Sequence, residues 1–344
     1  MPSHPFRPPR GRIETIVVDS RALAGNMLGD PSTRQVAVYV PHGHEHAGSA
    51  ALPLFVALAG FTSSGLRMLS WQAFGESVPQ RLDRLVEAGR MGPVVLAFPD
   101  CFTSLGGNQY VNSVALGRFE DFLVGEMIPE IERRFPVRTD AGGRAVFGKS
   151  SGGYGALIQA LRHAEHWGAV ACHSGDIDFE LCYRPALPAA LDVLARHGSE
   201  PLRLVEHLRG ARKIAPAEMQ ALMLLAMCAS YDPDPRAPLG VRLPVDPHTC
   251  ELLPERWGRW LAHDPLRLVD DPRSLSNLRS LRALFLDCGT RDPYALHYGA
   301  RAFVRRLEAA GVPHVYEEFD DDHSGIDYRL DRSLPLLYGA VARA

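Results

Sequence analysis

The chain has 344 residues, of which 46% are hydrophobic and 22% are charged, and its formal net charge is −3. This is the composition of a globular protein that forms one large α/β domain with an insertion, or two domains. The nearly balanced charge and the lack of a basic stripe argue against a nucleic-acid partner, and no apolar run approaches the roughly 20 residues needed to cross a membrane.

Residues 1–11 are rich in proline and arginine and lack the apolar segment of a secretory signal peptide, so we predict a disordered N-terminal arm. The six cysteines are scattered and include no CxxC pair, which favours reduced thiols and a cytoplasmic location. Cys172 and Cys288 come near predicted strand ends. We interpret them as buried, inert thiols near the site rather than as catalytic groups.

Apolar patterns in the first half of the chain predict four strands. Residues 12–20 form the first, and residues 34–41 alternate with period two, which indicates an antiparallel partner. Residues 52–59 and 93–98 are continuously apolar, which is typical of strands buried on both faces of a parallel sheet. Apolar residues then repeat at three- and four-residue steps from 119 to 135, and this spacing predicts a helix packed on the sheet.

Three histidines alternate in the segment 42–46, directly after the second predicted strand. An extended segment with this spacing could bind a metal ion through the histidine side chains. No distant set of cysteine or acidic residues with matching spacing accompanies them, so we predict a solvated loop and no metal site.

Residues 145–155 combine a short apolar strand, a Gly-x-Ser-x-Gly turn and the start of a helix. Only Ser150 fits this frame, because Gly148 and Gly152 flank it, whereas Ser151 has no glycine two positions before it. At such a turn the strand and helix backbones pack so closely that a Cβ at either flanking position would clash, and the serine occupies strained backbone. A glycine-rich turn with an incidental serine is the alternative. The strand–turn–helix context favours Ser150 as a nucleophile.

An oxyanion formed at Ser150 would require two hydrogen-bond donors. The first predicted donor is the backbone N–H of Ser151, because it lies at the free, positive end of the new helix. A loop of small residues, 60–65, follows the strand predicted for 52–59 and can approach the same turn. We expect the backbone N–H of Phe61 to be the second donor. The alternative is a plain connecting loop.

From residue 177 to residue 264 the pattern changes to helical segments with ten prolines and no strand-like apolar run. We interpret this stretch as a helical insertion between two sheet strands, forming a cap over the site. A surface elaboration with no role in substrate choice is the alternative. The predicted core therefore has two parts, residues 12–176 and residues 265–344.

Strands and helices alternate in the remainder of the chain, which indicates a doubly wound α/β sheet. Further strands are predicted at residues 167–172, 281–286 and 314–319. Further helices are predicted over residues 80–90, 153–164, 295–310 and 334–344.

A nucleophilic serine needs a base, and the base needs an acid to orient it. In α/β-hydrolase sheets these residues follow the chain order serine, acid, histidine, and each comes after a strand end. Ser150, Asp292 and His323 have this order and these positions. The sequence therefore predicts a catalytic triad of these three residues.

Other acidic and histidine residues compete for these roles. Asp287 lies at a strand end, where an acid more often braces a turn, and the acids at 320–322 are too close in sequence to the histidine to orient it. His297 falls on a predicted helix and His314 begins a strand, so we interpret both as packing or surface residues. His173 precedes the insertion, which breaks the expected order.

The stretches 147–155, 287–292 and 318–323 resemble the three catalytic blocks of the Putative esterase family of α/β hydrolases. This family includes esterase D (S-formylglutathione hydrolase), enterochelin esterases, feruloyl esterases and mycolyltransferases. The likeness extends from about residue 20 to the end of the chain, and the insertion departs from the compact esterase D pattern. The resemblance implies an α/β-hydrolase fold with a mostly parallel central sheet flanked by helices.

The same resemblance implies Ser150 as nucleophile, Asp292 as acid and His323 as base, with the amides of Phe61 and Ser151 forming the oxyanion hole. The expected activity is hydrolysis of a small-molecule carboxylic ester through an acyl-enzyme, without a metal or an organic cofactor. An acyltransferase or thioesterase on the same fold is an alternative, and so is a non-catalytic binding protein on a hydrolase scaffold. An exposed sheet edge or a cap helix could support a homo-oligomer.

Overall fold

The computed structural model describes residues 4–44 and 50–342. Within these residues, eight strands form one sheet in the order β1-β2-β4-β3-β7-β8-β9-β10, and two short strands, β5 and β6, form a separate hairpin. The strands are β1 Arg12–Asp19, β2 Thr33–Val40, β3 Leu54–Leu58, β4 Val95–Pro99, β5 Asn112–Ser113, β6 Gly117–Arg118, β7 Arg144–Lys149, β8 Ala169–His173, β9 Ala283–Gly289 and β10 Val315–Phe319.

Strand β2 pairs antiparallel with both β1 and β4, and every other neighbouring pair in the large sheet is parallel. The predicted mostly parallel α/β sheet with an antiparallel start is therefore confirmed. Because β7, β8, β9 and β10 are parallel neighbours, their carboxyl ends meet at one edge of the sheet. The loops that follow these four strands consequently lie side by side.

Helices cover both faces of the sheet. They are α1 Val78–Glu87, α2 Phe119–Asp121, α3 Ile128–Arg134, α4 Ser151–Arg162, α5 Phe179–Cys182, α6 Leu187–Ala195, α7 Pro201–Gly210, α8 Pro216–Tyr231, α9 Pro254–Leu261, α10 Pro265–Leu268, α11 Pro272–Ser280, α12 Leu296–Ala309 and α13 Leu330–Val341. A π-helical segment, Phe122–Met127, joins α2 to α3, so the helix predicted over 119–135 contains wider turns in its middle.

The central strand β7 is apolar on both faces because helices pack against both of them. Val146 packs in a core with residues of α4, whereas Ala145 and Phe147 pack in a second core with residues of α1 and α13. A strand that is covered by helices on both sides has no solvent face, so alternation of polar and apolar residues is absent.

Two helices begin earlier than the apolar pattern predicts. Helix α4 starts at Ser151 because the carbonyl of Ser150 already accepts a hydrogen bond from the N–H of Tyr154, at 2.8 Å. Helix α13 starts at Leu330, directly after a 3₁₀ turn over Ile326–Arg329. In both cases a capping turn, rather than a run of apolar residues, sets the first helical residue.

The segment 177–264 lies between β8 and β9 and contains helices α5 to α9, and α10 and α11 follow it before β9. The only β pairing found in this fully described segment is an isolated bridge between Val245 and Leu252. No helix among the residues that the structure describes is long and apolar enough to cross a membrane.

At the N-terminus, residues 4–11 form neither helix nor strand, and residues 1–3 of the predicted arm lie outside the described residues. The backbone N–H of Arg10 donates to Asp83 at 2.6 Å, and the side chain of Gln80 donates to the carbonyl of Arg7 at 2.7 Å. The predicted histidine loop is only partly described, since His46 lies outside the described ranges.

Candidate active site

Ser150 stands at the tight turn between β7 and α4, with φ 58° and ψ −128°. Positive φ is unfavourable for a residue with a Cβ, so the surrounding packing must hold it. A Cβ on Gly152 would lie 2.6 Å from the carbonyl carbon of Leu58, and a Cβ on Gly148 would lie 2.7 Å from the carbonyl oxygen of the same residue. A Cβ on Gly148 would also clash with the backbone of Gly152, which agrees with the predicted close packing of strand and helix, and the approach to β3 is a further constraint that the sequence pattern did not predict.

The start of α4 presents free donors beside Ser150. Ser151 is the first residue of this helix, so its backbone N–H has no partner within the helix. Its hydroxyl accepts a hydrogen bond from Nε2 of the buried Gln109 at 2.7 Å. The backbone of Ser151 is thereby held in place while its N–H points out of the helix end.

Asp292 and His323 lie in the loops after β9 and β10 and are in contact. Nδ1 of His323 is 2.7 Å from Oδ2 of Asp292, and the carboxylate is buried. Oδ1 of Asp292 accepts a hydrogen bond from the backbone N–H of Tyr294 at 2.9 Å, and the Tyr294 ring packs edge-on against the imidazole. With its Nδ1 proton directed at the carboxylate, the imidazole keeps Nε2 available to accept another proton.

Ser150 and His323 lie on the wall of the same cavity, which has a volume of about 820 Å³. The wall also includes Phe61 from the loop after β3, and Met219 and Met223 from α8. The structure thus brings the predicted nucleophile and base to one cavity, with Asp292 buried behind the base. Helix α8, from the predicted cap, provides part of the cavity wall.

The loop after β3 runs next to the elbow. A Cβ on Gly60 would lie 3.5 Å from Cβ of Ser150, so Phe61 follows at close range. The neighbouring amides are used within the loop, since Thr62 donates to Gly106 at 2.8 Å and Ser63 donates to Gly60 at 3.2 Å. In the part of the chain that the structure describes, the N–H of Phe61 makes no such bond. This amide is available to a ligand in the cavity.

A further acid, Asp176, reaches the cavity and was not among the predicted site residues. It follows β8, is buried, and accepts a hydrogen bond from the Tyr183 hydroxyl at 2.8 Å. The Tyr231 hydroxyl lies 3.3 Å from that of Tyr183. Burial raises the pKa of the Asp176 carboxyl to about 6, and the hydrogen bond from Tyr183 limits the rise. Its position after a parallel strand, at the edge where the triad residues lie, was the available sequence signal.

The competing residues Asp287 and His173 form a separate structural cluster. Nδ1 of His173 is 2.7 Å from Oδ1 of Asp287, and Nε2 of His173 is 2.9 Å from the Ser333 hydroxyl. Oδ2 of Asp287 accepts a hydrogen bond from Arg329 at 2.8 Å. His173 borders the Ser150 cavity, but Ser333 is completely buried, so the hydroxyl of this serine–histidine–aspartate arrangement is not accessible to a substrate. It links β8, β9 and α13, in agreement with the bracing role expected for Asp287.

The other competitors have local partners. Nδ1 of His314 is 2.8 Å from the carbonyl of Val312, and His297 packs against Tyr298 with ring centroids 4.1 Å apart. Asp320 forms an ion pair with Arg291. None of these contacts joins the pair of Asp292 and His323.

The cysteines near the site are buried thiols. Cys288 is fully buried, and its Sγ lies 3.9 Å from Oδ2 of Asp292. Burial raises the pKa of this thiol to about 12, so the reactive thiolate form is disfavoured near neutral pH. Burial likewise raises the pKa of Cys172. The expectation of buried thiols close to the site agrees with these positions.

One group of potential metal ligands lies within the described part of the chain. His197, His207 and Glu218 place their ligand atoms within 4.8 Å of one another, and Nε2 of His207 is 3.1 Å from Oε1 of Glu218. The group lies at the ends of α6, α7 and α8 and contributes nothing to the wall of the Ser150 cavity.

Among curated proteins, Esterase Rv1288 from Mycobacterium tuberculosis (strain ATCC 25618 / H37Rv) is similar to this chain, with 29% identity over 324 residues. The match covers 90% of this chain and 56% of that protein, so the chain spans little more than half the length of this relative.

Two solved structures are similar over almost the whole chain. A ferulic acid esterase has a TM-score of 0.62 and 19% identity, covering 96% of this chain and 99% of that one. An S-formylglutathione hydrolase from Agrobacterium tumefaciens has a TM-score of 0.58 and 16% identity, covering 98% of each chain. At these identities the likeness concerns the fold, which is that of the α/β hydrolases.

The family model described as Putative esterase matches residues 30–331. This match covers most of the chain and includes the elbow as well as the loops that carry Asp292 and His323. The chain therefore belongs to the Putative esterase family.

Proposed function

We propose that this protein is a serine esterase that hydrolyses a carboxylic ester through an acyl-enzyme. His323 takes the proton from the Ser150 hydroxyl as its oxygen attacks the ester carbonyl. The alcohol then leaves with a proton from His323, and a water molecule repeats the sequence to release the acid. Asp292 holds the imidazole in the required tautomer and stabilises the imidazolium form.

The tetrahedral intermediates are proposed to rest on the backbone N–H groups of Phe61 and Ser151. Both amides belong to segments that adjoin Ser150, and neither is used in a helix or loop hydrogen bond with the described residues. Amides held in place by the fold need no reorganisation when charge develops on the oxygen. Loss of one such donor should raise the barrier by roughly 3 kcal/mol.

One observation supports this function most strongly. A serine in strained backbone at a glycine-flanked elbow shares a cavity with a histidine whose Nδ1 lies 2.7 Å from a buried carboxylate. The Ser150 hydroxyl makes no hydrogen bond with any residue that the structure describes. We expect the Ser150–His323 bond to form when substrate closes the site, because catalytic hydrogen bonds often tighten only in the complex.

We also propose that the segment 177–264 acts as a cap. Its helix α8 contributes Met219, Gln220 and Met223 to the cavity wall, and Tyr183 lies at the same wall. These side chains are mainly apolar and would exclude water from the ester. Substrate choice would then depend on this segment.

Reaction with a fluorophosphonate probe tests the proposed nucleophile. Intact-protein mass spectrometry of the untreated and treated protein should show one covalent adduct, and Ser150→Ala should show none. The matched control is Ser70→Ala, which should keep the adduct, since Ser70 lies on the same cavity wall and its hydroxyl donates to the carbonyl of Leu66 at 3.3 Å. Absence of an adduct on folded wild-type protein, or its persistence in Ser150→Ala, would contradict the proposal.

A further inference from the structure

Two cationic side chains on the wall of the Ser150 cavity lack an ion-pair partner among the described residues. Lys149 is the last residue of β7 and directly precedes Ser150, and Arg67 lies in the 3₁₀ segment Gly65–Leu69. Neither side chain forms an ion pair or a hydrogen bond with the residues at 4–44 and 50–342. By contrast, Arg329 in the nearby structural cluster is paired with Asp287.

The three carboxylates that act electrostatically on Lys149 have hydrogen-bond partners of their own. Asp292 is bonded to His323, and Asp322 accepts a hydrogen bond from the N–H of Ser324 at 2.6 Å. Asp327, which also lines the cavity, lies 3.5 Å from the side-chain nitrogen of Gln72. None of them forms an ion pair with the lysine.

Burial is the main influence on the ammonium group of Lys149. It lowers the pKa of this group, and the positive charge of Arg67 acts in the same direction, while the surrounding acids, Asp327 first, oppose the change. A half-buried charge that lacks a partner is costly, and an anion supplied by a ligand would offset that cost. Arg67 and Lys149 lie on the wall of the same cavity, so an anion bound there would be attracted by both positive charges.

The rest of the cavity wall is suited to the body of an organic ester. Met68 and Trp71 extend from the same segment as Arg67, and Met219 and Met223 come from α8. One buried carboxylate also lies on this wall, that of Asp176, and it already accepts a hydrogen bond from a tyrosine hydroxyl. The cavity therefore combines apolar walls with two cations beside the nucleophile.

We propose that Arg67 and Lys149 form an anion-binding subsite, and that the substrate ester carries a carboxylate or phosphate group a few bonds from its reacting carbonyl. This inference rests on the proposed esterase function. Consecutive Cα atoms are about 3.8 Å apart, so the lysine begins next to the attacking serine and reaches either the acyl or the alcohol part of the ester. The anionic group of the substrate therefore belongs to either the acyl part or the alcohol part, and the experiment below distinguishes these two positions.

Two matched pairs of esters provide the test. For the acyl part, 4-nitrophenyl hemiglutarate is compared with 4-nitrophenyl methyl glutarate. For the alcohol part, 4-butyryloxybenzoate is compared with its methyl ester. We expect the wild-type protein to prefer the charged member of one pair by about tenfold in kcat/KM, which is the effect of one charge-assisted contact in a partly buried site.

Variants then assign that preference to residues. Arg67→Met and Lys149→Met should each reduce the ratio of kcat/KM between the charged and neutral esters several-fold. The control is Arg133→Met, which removes an exposed positive charge on α3 that pairs with Glu130, and it should leave the ratio unchanged. Because Lys149 adjoins the elbow, fluorophosphonate labelling of Lys149→Met is measured as well. If this variant is not labelled, its elbow is disturbed, and the effect of Arg67→Met on the kcat/KM ratio alone decides whether the subsite exists.

The inference is overturned if neither charged ester is preferred, or if the preference persists in Arg67→Met and in a labelling-competent Lys149→Met. Failure of the esterase function has a different signature, because then no ester is hydrolysed and the probe does not label Ser150. Labelling together with hydrolysis of the neutral esters, but without a charge preference, would contradict the anion subsite alone.

Discussion

Nδ1 of His323 lies 2.7 Å from Oδ2 of Asp292, although 31 residues separate them in the chain. Parallel pairing of β9 with β10 brings the two following loops together, so the contact is a consequence of sheet topology. A second aspartate–histidine pair, Asp287 with His173, has the same 2.7 Å separation. The two pairs differ at the other ring nitrogen: Nε2 of His173 is bonded to the buried Ser333, whereas Nε2 of His323 has no partner among the described residues.

Replacing the two aspartates separately should give opposite results. Asp292→Asn should lower kcat by roughly 10³- to 10⁴-fold with little change in thermal stability, because the amide favours the wrong imidazole tautomer. Asp287→Asn should lower the free energy of unfolding by about 3 kcal/mol, because it removes the buried carboxylate that pairs with both His173 and Arg329, and Arg329 then keeps only Glu317. Kinetics with a 4-nitrophenyl ester and thermal melting of both variants check this. Equal loss of activity in the two folded variants would contradict the assignment of Asp292.

The serine of the buried cluster should be structural. Ser333→Ala should reduce the free energy of unfolding by about 1–3 kcal/mol, since Nε2 of His173 would lose its partner in a fully buried position. Fluorophosphonate labelling of the folded variant should match that of the wild type. Urea titration and labelling kinetics measure the two effects independently, and loss of labelling with unchanged stability would refute the structural role.

Gly152, two residues after Ser150, should tolerate no side chain. In Gly152→Ala the new Cβ would lie 2.6 Å from the carbonyl carbon of Leu58 and 2.9 Å from the carbonyl oxygen of Ala59. Backbone of the central strand β3 cannot move aside easily, so we expect a loss of about 3 kcal/mol or more in stability. Soluble yield and thermal melting check this expectation.

Gly258→Ala is the matched control for the elbow glycine. Gly258 lies inside α9, and a Cβ at this position would meet nothing within 4 Å beyond the nearby backbone of its own helix. This change should raise the free energy of unfolding by about 0.5–1 kcal/mol, because alanine loses less conformational entropy in a helix. Similar effects of the two substitutions would mean that the elbow is not closely packed.

The sequence predicted those features of the site that depend on a local pattern or on the order of residues along the chain. Gly148 and Gly152 predict the close packing of the strand and helix at the elbow, and the order of Ser150, Asp292 and His323 at strand ends predicts their meeting at one edge of a parallel sheet. These inferences need only the apolar pattern of each segment and the chain order of the residues that follow the strands. Docking of the insertion onto the core was not required for any of them.

The surroundings of Asp176 depend on tertiary packing that no local sequence pattern encodes. Its partner Tyr183 and the neighbouring Tyr231 belong to the insertion, and the apolar pattern of this segment does not define how its helices pack on the core. Which faces of these helices contact the core depends on packing among many side chains. The π-helical segment Phe122–Met127 escaped prediction for a related reason, because the apolar spacing of its residues also fits an α-helix.

The buried carboxyl of Asp176 should make stability depend on pH. Burial raises its pKa to about 6, above the usual value of 3.8, so the folded protein binds this proton more tightly than the unfolded chain does. As pH rises from the unfolded-chain pKa of 3.8 through the folded-state pKa of about 6, the free energy of unfolding therefore falls, by up to about 3 kcal/mol at pH 8. Asp176→Asn removes this dependence and should be more stable than the wild type at pH 8, with the advantage shrinking towards pH 4.

Tyr183→Phe tests how the hydrogen bond from the tyrosine hydroxyl affects the pKa of Asp176. Its hydroxyl donates to Asp176 at 2.8 Å and holds the pKa below the value that burial alone would give. Without this donor the pKa should rise further, so the loss of stability should extend to higher pH than in the wild type. Urea titrations of the three proteins between pH 4 and pH 8 measure these differences. A stability difference between Asp176→Asn and the wild type that stays constant over this range would show that Asp176 does not titrate there.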